Sequence, residues 1–302
     1  MDFSKNQNKM KALVTGGAGF IGSNLVDTLI DKGWEVIVID DESSDAHEQF
    51  YFNPKAKYLK FSITNYKAIR PCFEGVDYVF HLAAESRIQP AIQNPTHAVH
   101  VNAVGTCNVL QAAREAGVKR VIYSSTSSAY GLKNEPPLVE TMPKDCLNPY
   151  SVSKTAGEEL CKMYNDLFGL ETITFRYFNV YGPRQCTRGQ YAPVIGLFLR
   201  QKANGKPMTV VGDGLQTRDY THVYDVVQAN ILATECTEGL GEIINIGTGI
   251  SHNILDLVEM IGGDHIHIDP RPGECRHTKA NNEKAKRILK WEPTQSLKEY
   301  LQ

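Results

Sequence analysis

The segment Leu13-Val14-Thr15-Gly16-Gly17-Ala18-Gly19-Phe20-Ile21-Gly22-Ser23 joins an apolar run, Lys11–Thr15, to an amphipathic stretch, Phe20–Lys32, through glycines spaced three apart. Glycine at a strand-to-helix turn supplies positive φ and lets backbone N–H groups approach a pyrophosphate. Gly22, one turn into the helix, lets that helix pack close to a sheet. The spacing is GxxGxxG, a departure from the commoner GxGxxG fingerprint. Asp40 ends the second apolar run, Glu35–Ile39. A carboxylate there accepts hydrogen bonds from the adenosine ribose hydroxyls and repels a 2′-phosphate, which favours NAD over NADP.

Working outward, short β-rich runs alternate with helical patterns. Strands are expected at Lys11–Thr15, Glu35–Ile39, Tyr58–Phe61, Tyr78–His81, Arg120–Ser124 and Glu171–Tyr177, and helices at Phe20–Lys32, Pro95–Ala116 and Tyr150–Phe168. Such alternation predicts an α/β fold, a Rossmann-like doubly wound parallel sheet with helices on both faces. After Tyr177 glycine and proline become frequent and the elements shorten, which predicts a smaller, interleaved C-terminal substrate-binding lobe. The expected division is a dinucleotide-binding domain over 1–177, with 221–247 returning to it, and a lobe made of 178–220 and 248–302.

The chain has 302 residues and a net charge of −2, which argues against a nucleic-acid binder. Met1–Lys11 is polar, unlike a signal peptide, and no run approaches the roughly 18 apolar residues of a membrane span. Seven cysteines without paired spacing read as reduced thiols in a cytoplasmic protein. His265 and His267 share a strand face without further ligands, so no metal is expected.

Tyr150 and Lys154 stand four apart in Asn148-Pro149-Tyr150-Ser151-Val152-Ser153-Lys154, on one face of a helix start. A nearby ammonium lowers a phenol from its usual value of about 10, so Tyr150 reads as a general base. Upstream, Arg120–Ser124 runs into a hydroxyl cluster, Ser124-Ser125-Thr126-Ser127-Ser128, at the strand end where an open α/β sheet holds its ligand.

TGGAGFIG, HLAAES, VNAVGTCNVL, SSTSSAYG, NPYSVSK, FRYFNVYGPRQ, GDGLQTRDYTHVYDV and RPGECRH occur in this order over nearly the whole chain. In them the sequence resembles the extended short-chain dehydrogenase/reductases acting on nucleotide sugars, and most closely the UDP-glucose 4-epimerases. The resemblance implies Thr126, Tyr150 and Lys154 as catalytic residues. It implies NAD contacts at Gly16, Gly19, Phe20, Ile21, Asp40, Ser62, Ile63, Ala83, Ala84, Ser124, Tyr150 and Lys154. Substrate contacts are implied at Arg87, Thr126, Tyr150, Asn179, Arg218 and Arg271, the last two as diphosphate clamps. Asn102 is expected to fix a helix near the site. The family pattern also implies a homodimer built on a four-helix bundle from Pro95–Ala116 and Tyr150–Phe168. The implied reaction is inversion at C4 of a UDP-hexose through a 4-keto sugar.

Several positions depart from the pattern. Ser127-Ser128 replaces the Asp-Glu of related dehydratases, although His81-Leu82-Ala83-Ala84-Glu85-Ser86 looks dehydratase-like. Ser62 stands where an aspartate often holds adenine, and Val211 where an aromatic often packs on uracil. Thr278 matches a bulky tyrosine that excludes N-acetylated sugars in some epimerases. Arg87 could pair with a uronic acid or, alternatively, form an ordinary protein salt bridge. A 4,6-dehydratase, a decarboxylase or a non-enzymatic NAD-binding scaffold are the competing readings; the scaffold would be expected to lack Tyr150 or Lys154.

Overall fold

Strand β1, Lys11–Thr15, turns Ala12 and Val14 into one apolar core and Leu13 into another, and all three are fully buried. Burial on both faces is why the strand reads as a continuous apolar run. The computed structural model describes residues 9–187, 192–270 and 275–302. In its main sheet β1 is joined by β2 (Glu35–Ile39), β3 (Lys57–Leu59), β4 (Tyr78–His81), β5 (Arg120–Thr126), β6 (Glu171–Tyr177) and β7 (Ile243–Ile246). All seven are parallel, in the order β7-β6-β5-β4-β1-β2-β3. The chain thus runs outward from β1 in one direction, then crosses back to β4 and continues in the other. The crevice between the β1 and β4 ends is the switch point at which such sheets bind ligands.

Helices α1 (Phe20–Asp31) and α4 (Val223–Leu232) cover one face, and α2 (Gly105–Glu115) and α3 (Pro149–Phe168) the other. Leu25 and Leu29 of α1 are fully buried, each contributing about 1.5–3 kcal/mol. Val223–Ile246 thereby adds a helix and an edge strand to the main sheet.

Beyond one-residue differences at the end of α1 and the start of α3, three elements differ from expectation. β3 is Lys57–Leu59 instead of Tyr58–Phe61, because the Phe61 N–H turns back to the Leu59 carbonyl and the chain leaves the sheet. β5 continues to Thr126, because it pairs with β6 along all seven residues. The single helix expected over Pro95–Ala116 is a helix at Pro95–Val99, a π turn at His100–Val104, and then α2. Inside that π turn the Asn102 amide reaches out to other segments, a common reason for such a bulge.

A second core gathers Tyr181, Phe198, Val210, Tyr220 and Leu257. Around it short strands pair: Val180–Tyr181 with Thr221–His222, Thr217–Asp219 with Ser251–Asn253, and Met208–Val211 with His265–Ile268. Asp219 is fully buried; its carboxylate accepts hydrogen bonds from the Thr248, Gly249 and Ala280 N–H groups and the Thr248 hydroxyl. Those donors satisfy a charge that burial otherwise opposes. Among the described residues no helix is long and apolar enough to cross a membrane.

Candidate active site

The glycine turn lies at the switch point. Gly16 has φ +69°, and a Cβ on it would stand 2.7 Å from the Ala83 nitrogen, just past the end of β4. A Cβ on Gly22 would stand 2.1 Å from the Gly16 carbonyl oxygen. Turn and helix are therefore closed down to a separation that only glycine permits. Gly19 caps α1 without any side-chain hydrogen bond, which leaves the first N–H groups, those of Phe20 and Ile21 included, suited to an anion. Asp40, at the end of β2, accepts hydrogen bonds from the Ala18 N–H at 2.9 Å and the Glu42 N–H at 2.8 Å. Burial pushes its carboxyl up while these bonds pull it down. A cradle that a Cβ would fill, an uncapped helix start and a carboxylate at the strand end fit a dinucleotide.

Ala83 donates its N–H to the Thr15 hydroxyl at 3.2 Å, and Ala84 follows in the same loop. Beneath, His81 is fully buried between the hydroxyls of Thr15 (2.7 Å) and Thr106 (2.9 Å), and burial drives it down to about 3, so it is neutral. On the other side of β1, the Ser62 hydroxyl meets that of Thr64 at 3.0 Å, and Ile63 is buried against Gly105.

Helix α3, which carries Tyr150 and Lys154, begins one residue before the expected Tyr150. The Asn148 side chain accepts the Ser151 N–H at 2.9 Å, Pro149 occupies the first turn, and Gly169 ends the helix at φ +70°. Such a cap contributes about 1 kcal/mol and sets the first turn, which carries Tyr150. Gly157 lets α3 lie flush on β5: a Cβ there would stand 2.3 Å from the Tyr123 hydroxyl oxygen. That hydroxyl donates to the Lys154 carbonyl at 3.0 Å, and the Lys154 ammonium lies 4.4 Å from the centre of the Tyr123 ring. Lys154 is thus held by packing on its neighbour.

Thr126 ends β5, and its hydroxyl acts to hold the Tyr150 phenol down. Its hydroxyl oxygen also accepts the Ser128 N–H at 3.1 Å, which fixes the side chain. Ser124 donates to the Tyr177 hydroxyl at 3.1 Å. Burial pushes the Tyr150 phenol up, the Thr126 hydroxyl opposes this, and the Glu85 carboxylate adds to it. Lys154 is itself driven down to about 7 by burial, with Glu158 pulling the other way. The phenol thus lies above its usual value, and the lowering by Lys154 that the sequence suggested is not found. The element that lowers the phenol here is Thr126.

Asn102 holds the site from behind. Its side chain accepts the Glu85 N–H at 2.8 Å and donates to the Glu85 carbonyl and the Ser153 hydroxyl, both at 2.9 Å. One amide so joins the loop after β4 to the Tyr150–Lys154 turn.

The remaining candidates are engaged with other protein groups or fall outside the described residues. Arg87, expected against the sugar, pairs with Asp45, so the salt-bridge alternative is what the structure contains. Asn179 donates its amide to the Asp219 carbonyl at 3.0 Å, and Arg218 donates to the Thr217 and Arg276 carbonyls at 2.9 and 3.2 Å. Both sit in the second lobe. Arg271 falls outside the described residues. Thr278 is buried with an unpartnered hydroxyl. The sequence reading missed His47, which lies against Gly19; its one available signal was a lone histidine in a polar stretch after Asp40.

Fold and geometry together define a dinucleotide-binding α/β protein of the tyrosine–lysine type. The model of the NAD dependent epimerase/dehydratase family matches residues 12–247. The chain is 37% identical over 295 residues to a putative UDP-glucose 4-epimerase of Methanocaldococcus jannaschii, covering 95% of this chain and 94% of that one. It is 34% identical to a UDP-glucuronate 4-epimerase of Thermodesulfobacterium geofontis, over 96% of this chain and 93% of the relative. The solved structure of a UDP-glucose 4-epimerase from Thermotoga maritima with UDP-glucose is similar at a TM-score of 0.91 and 36% identity, covering 97% of this chain and 96% of that one. The protein belongs to the NAD dependent epimerase/dehydratase family. It is an enzyme, and NAD is its cofactor.

Proposed function

We propose that the protein inverts C4 of a UDP-hexose through a transient 4-keto sugar, UDP-glucose and UDP-galactose being the reference pair. The observation that carries this reading is Thr126 at the end of β5, its hydroxyl acting on the Tyr150 phenol and Ser127-Ser128 following it instead of an acid pair. The chemistry that bound NAD supplies is acceptance and return of a hydride. Tyr150 takes the 4-hydroxyl proton and later gives one back, and Thr126 shares that proton and holds the phenol in place. Lys154 binds the nicotinamide ribose. Gly16, Gly19, Phe20, Ile21, Asp40, Ser62, Ile63, Ala83, Ala84 and Ser124 line the cofactor path. Asn179, Arg218 and Arg271 hold the substrate diphosphate from the lobe of 178–220 and 248–302; charge-assisted arginine bonds suit that task. The small buried Thr278 leaves room for an N-acetyl group.

A homodimer through α3 and the Pro95–Glu115 helices is part of the same reading. It is supported by Val99, Val104, Val152 and Leu167, apolar side chains exposed along those helices. A cytoplasmic location goes with the seven cysteines without paired spacing, read as reduced thiols. A 4,6-dehydratase is the second reading, favoured by the Glu85 carboxylate close to Tyr150.

Incubation with UDP-glucose, UDP-GlcNAc and UDP-GlcA in turn, with products resolved by NMR, tests the proposal. Expected is a C4 epimer of at least one. A keto sugar absorbing in alkali would instead identify a dehydratase. Tyr150→Phe should abolish conversion while leaving NAD bound.

A further inference from the structure

The stretch between β2 and β3 carries His47 onto the glycine turn. A Cβ on Gly19 would lie 3.1 Å from His47 Nε2, so the ring edge rests against the first turn of α1. On its other side Nδ1 meets the Cys186 thiol at 3.4 Å. The stretch is tied down nearby: the Tyr51 N–H donates to the Ala18 carbonyl at 3.0 Å, and Glu48 accepts the Thr187 hydroxyl at 2.9 Å. His47 is therefore fixed beside the uncapped helix start, and is not a side chain sweeping through solvent.

The charged and titratable groups that face the ring come from three elements. Asp40 ends β2, Arg87 follows β4 and is committed to Asp45, and Cys186 follows the strand Val180–Tyr181, as does Arg184, which lines a cavity with His47 and Glu48 but is paired with Asp27. Burial pushes the Cys186 thiol up to about 11, so it adds no charge. A doubly anionic diphosphate on the N–H groups of α1 would sit beside Asp40, and Arg87 already has a carboxylate. His47 is the group positioned to supply the missing positive charge.

We propose that His47 binds the diphosphate of NAD as an imidazolium, and so makes cofactor affinity depend on pH. The proposal rests on the NAD assignment and not on the identity of the sugar. Burial holds the ring below its usual value, Asp40 raises it and Arg87 lowers it. The ring is accordingly neutral at neutral pH until an anion arrives, and binding must then draw in a proton. Affinity consequently strengthens as pH falls through the range in which the free ring is neutral and the bound ring charged.

Calorimetric titration with NAD of the full-length protein freed of its bound cofactor, at about pH 6 and about pH 8 in buffers of different ionisation enthalpy, tests this. The wild type should take up a proton and bind about tenfold more tightly at the lower pH. His47→Ala should lose about that factor at low pH, together with the proton uptake. His47→Lys should bind tightly at both values without a slope. Wild-type affinity and slope in His47→Ala would overturn the proposal, as would an equal loss at both pH values, which marks a packing role. If the alanine variant does not fold, the lysine variant decides: a retained wild-type slope overturns the idea. No sugar enters the titration, so its failure and that of the epimerase reading are separable.

Discussion

Ser125 donates its hydroxyl proton to the Glu158 carboxylate across 2.6 Å, tying the end of β5 to the helix that carries Tyr150 and Lys154. Glu158 is 2% exposed and is also gripped by Arg176 through two bonds of 2.8 Å and by Lys144 at 3.0 Å. Burial pushes its carboxyl up, but Arg176, Ser125 and Lys144 overcome this and leave it below the usual value.

Glu158→Gln should therefore destabilise the protein by about 3–5 kcal/mol at neutral pH, because Arg176 is left buried without its counter-charge. Denaturant unfolding measures this. The difference from wild type should be full above the unfolded carboxylate value of about 4.3 and shrink as pH falls through the lower folded value. A loss under about 1 kcal/mol would mean that the network is only loosely engaged.

Thr126→Val removes the hydroxyl that holds the Tyr150 phenol down. The phenol should then rise further, and the alkaline-rising limb of kcat/KM should move to higher pH. At a fixed pH on that limb the rate falls about tenfold per unit of movement. A pH profile of the two proteins reads the shift directly. An unmoved limb would show that Thr126 does not act on the phenol.

Gly22→Ala places a methyl 2.1 Å from the Gly16 carbonyl oxygen, a distance that backbone must relieve. The expected result is protein that retains its helical circular dichroism but purifies with little NAD, since the turn moves out of register with α1. Bound cofactor is counted by absorbance after denaturation. Full NAD content would sink the cradle as described.

Arg87→Ala frees an Asp45 whose side chain is 83% exposed. Exposed carboxylates need no partner, so stability should change by no more than about 1 kcal/mol. Turnover of UDP-glucuronate and UDP-glucose should change in parallel. A selective collapse with the uronate would return Arg87 to the substrate.

Most of the sheet was legible because buried parallel strands write themselves as unbroken apolar runs; β1, β2, β4 and β6 lie where the sequence places them. Edge strand β3 carries no such signal, since its ends are decided by where the chain turns away, at Phe61. The Tyr150–Lys154 spacing was readable, but the balance of charge around it was not. That balance depends on how deeply both groups sit and on Glu85 and Glu158, which come from distant parts of the chain. The π turn was equally silent: Val99 to Val104 reads as ordinary helix until Asn102 is seen bonding to Glu85 and Ser153. His47 gains meaning only through its contact with Gly19, which no local pattern encodes.

The wide turn at His100–Val104 also makes the chain unusually sensitive to its own length. Each residue of an α-helix advances the side chains by about 100°. Excising one residue from the bulge would regularise the coil, but it would rotate either Asn102 away from its two partners or the buried stripe of Val109, Leu110 and Ala113 out of the interior. A shortening that looks harmless on a helical wheel would thus force a choice between the Tyr150–Lys154 turn and the core.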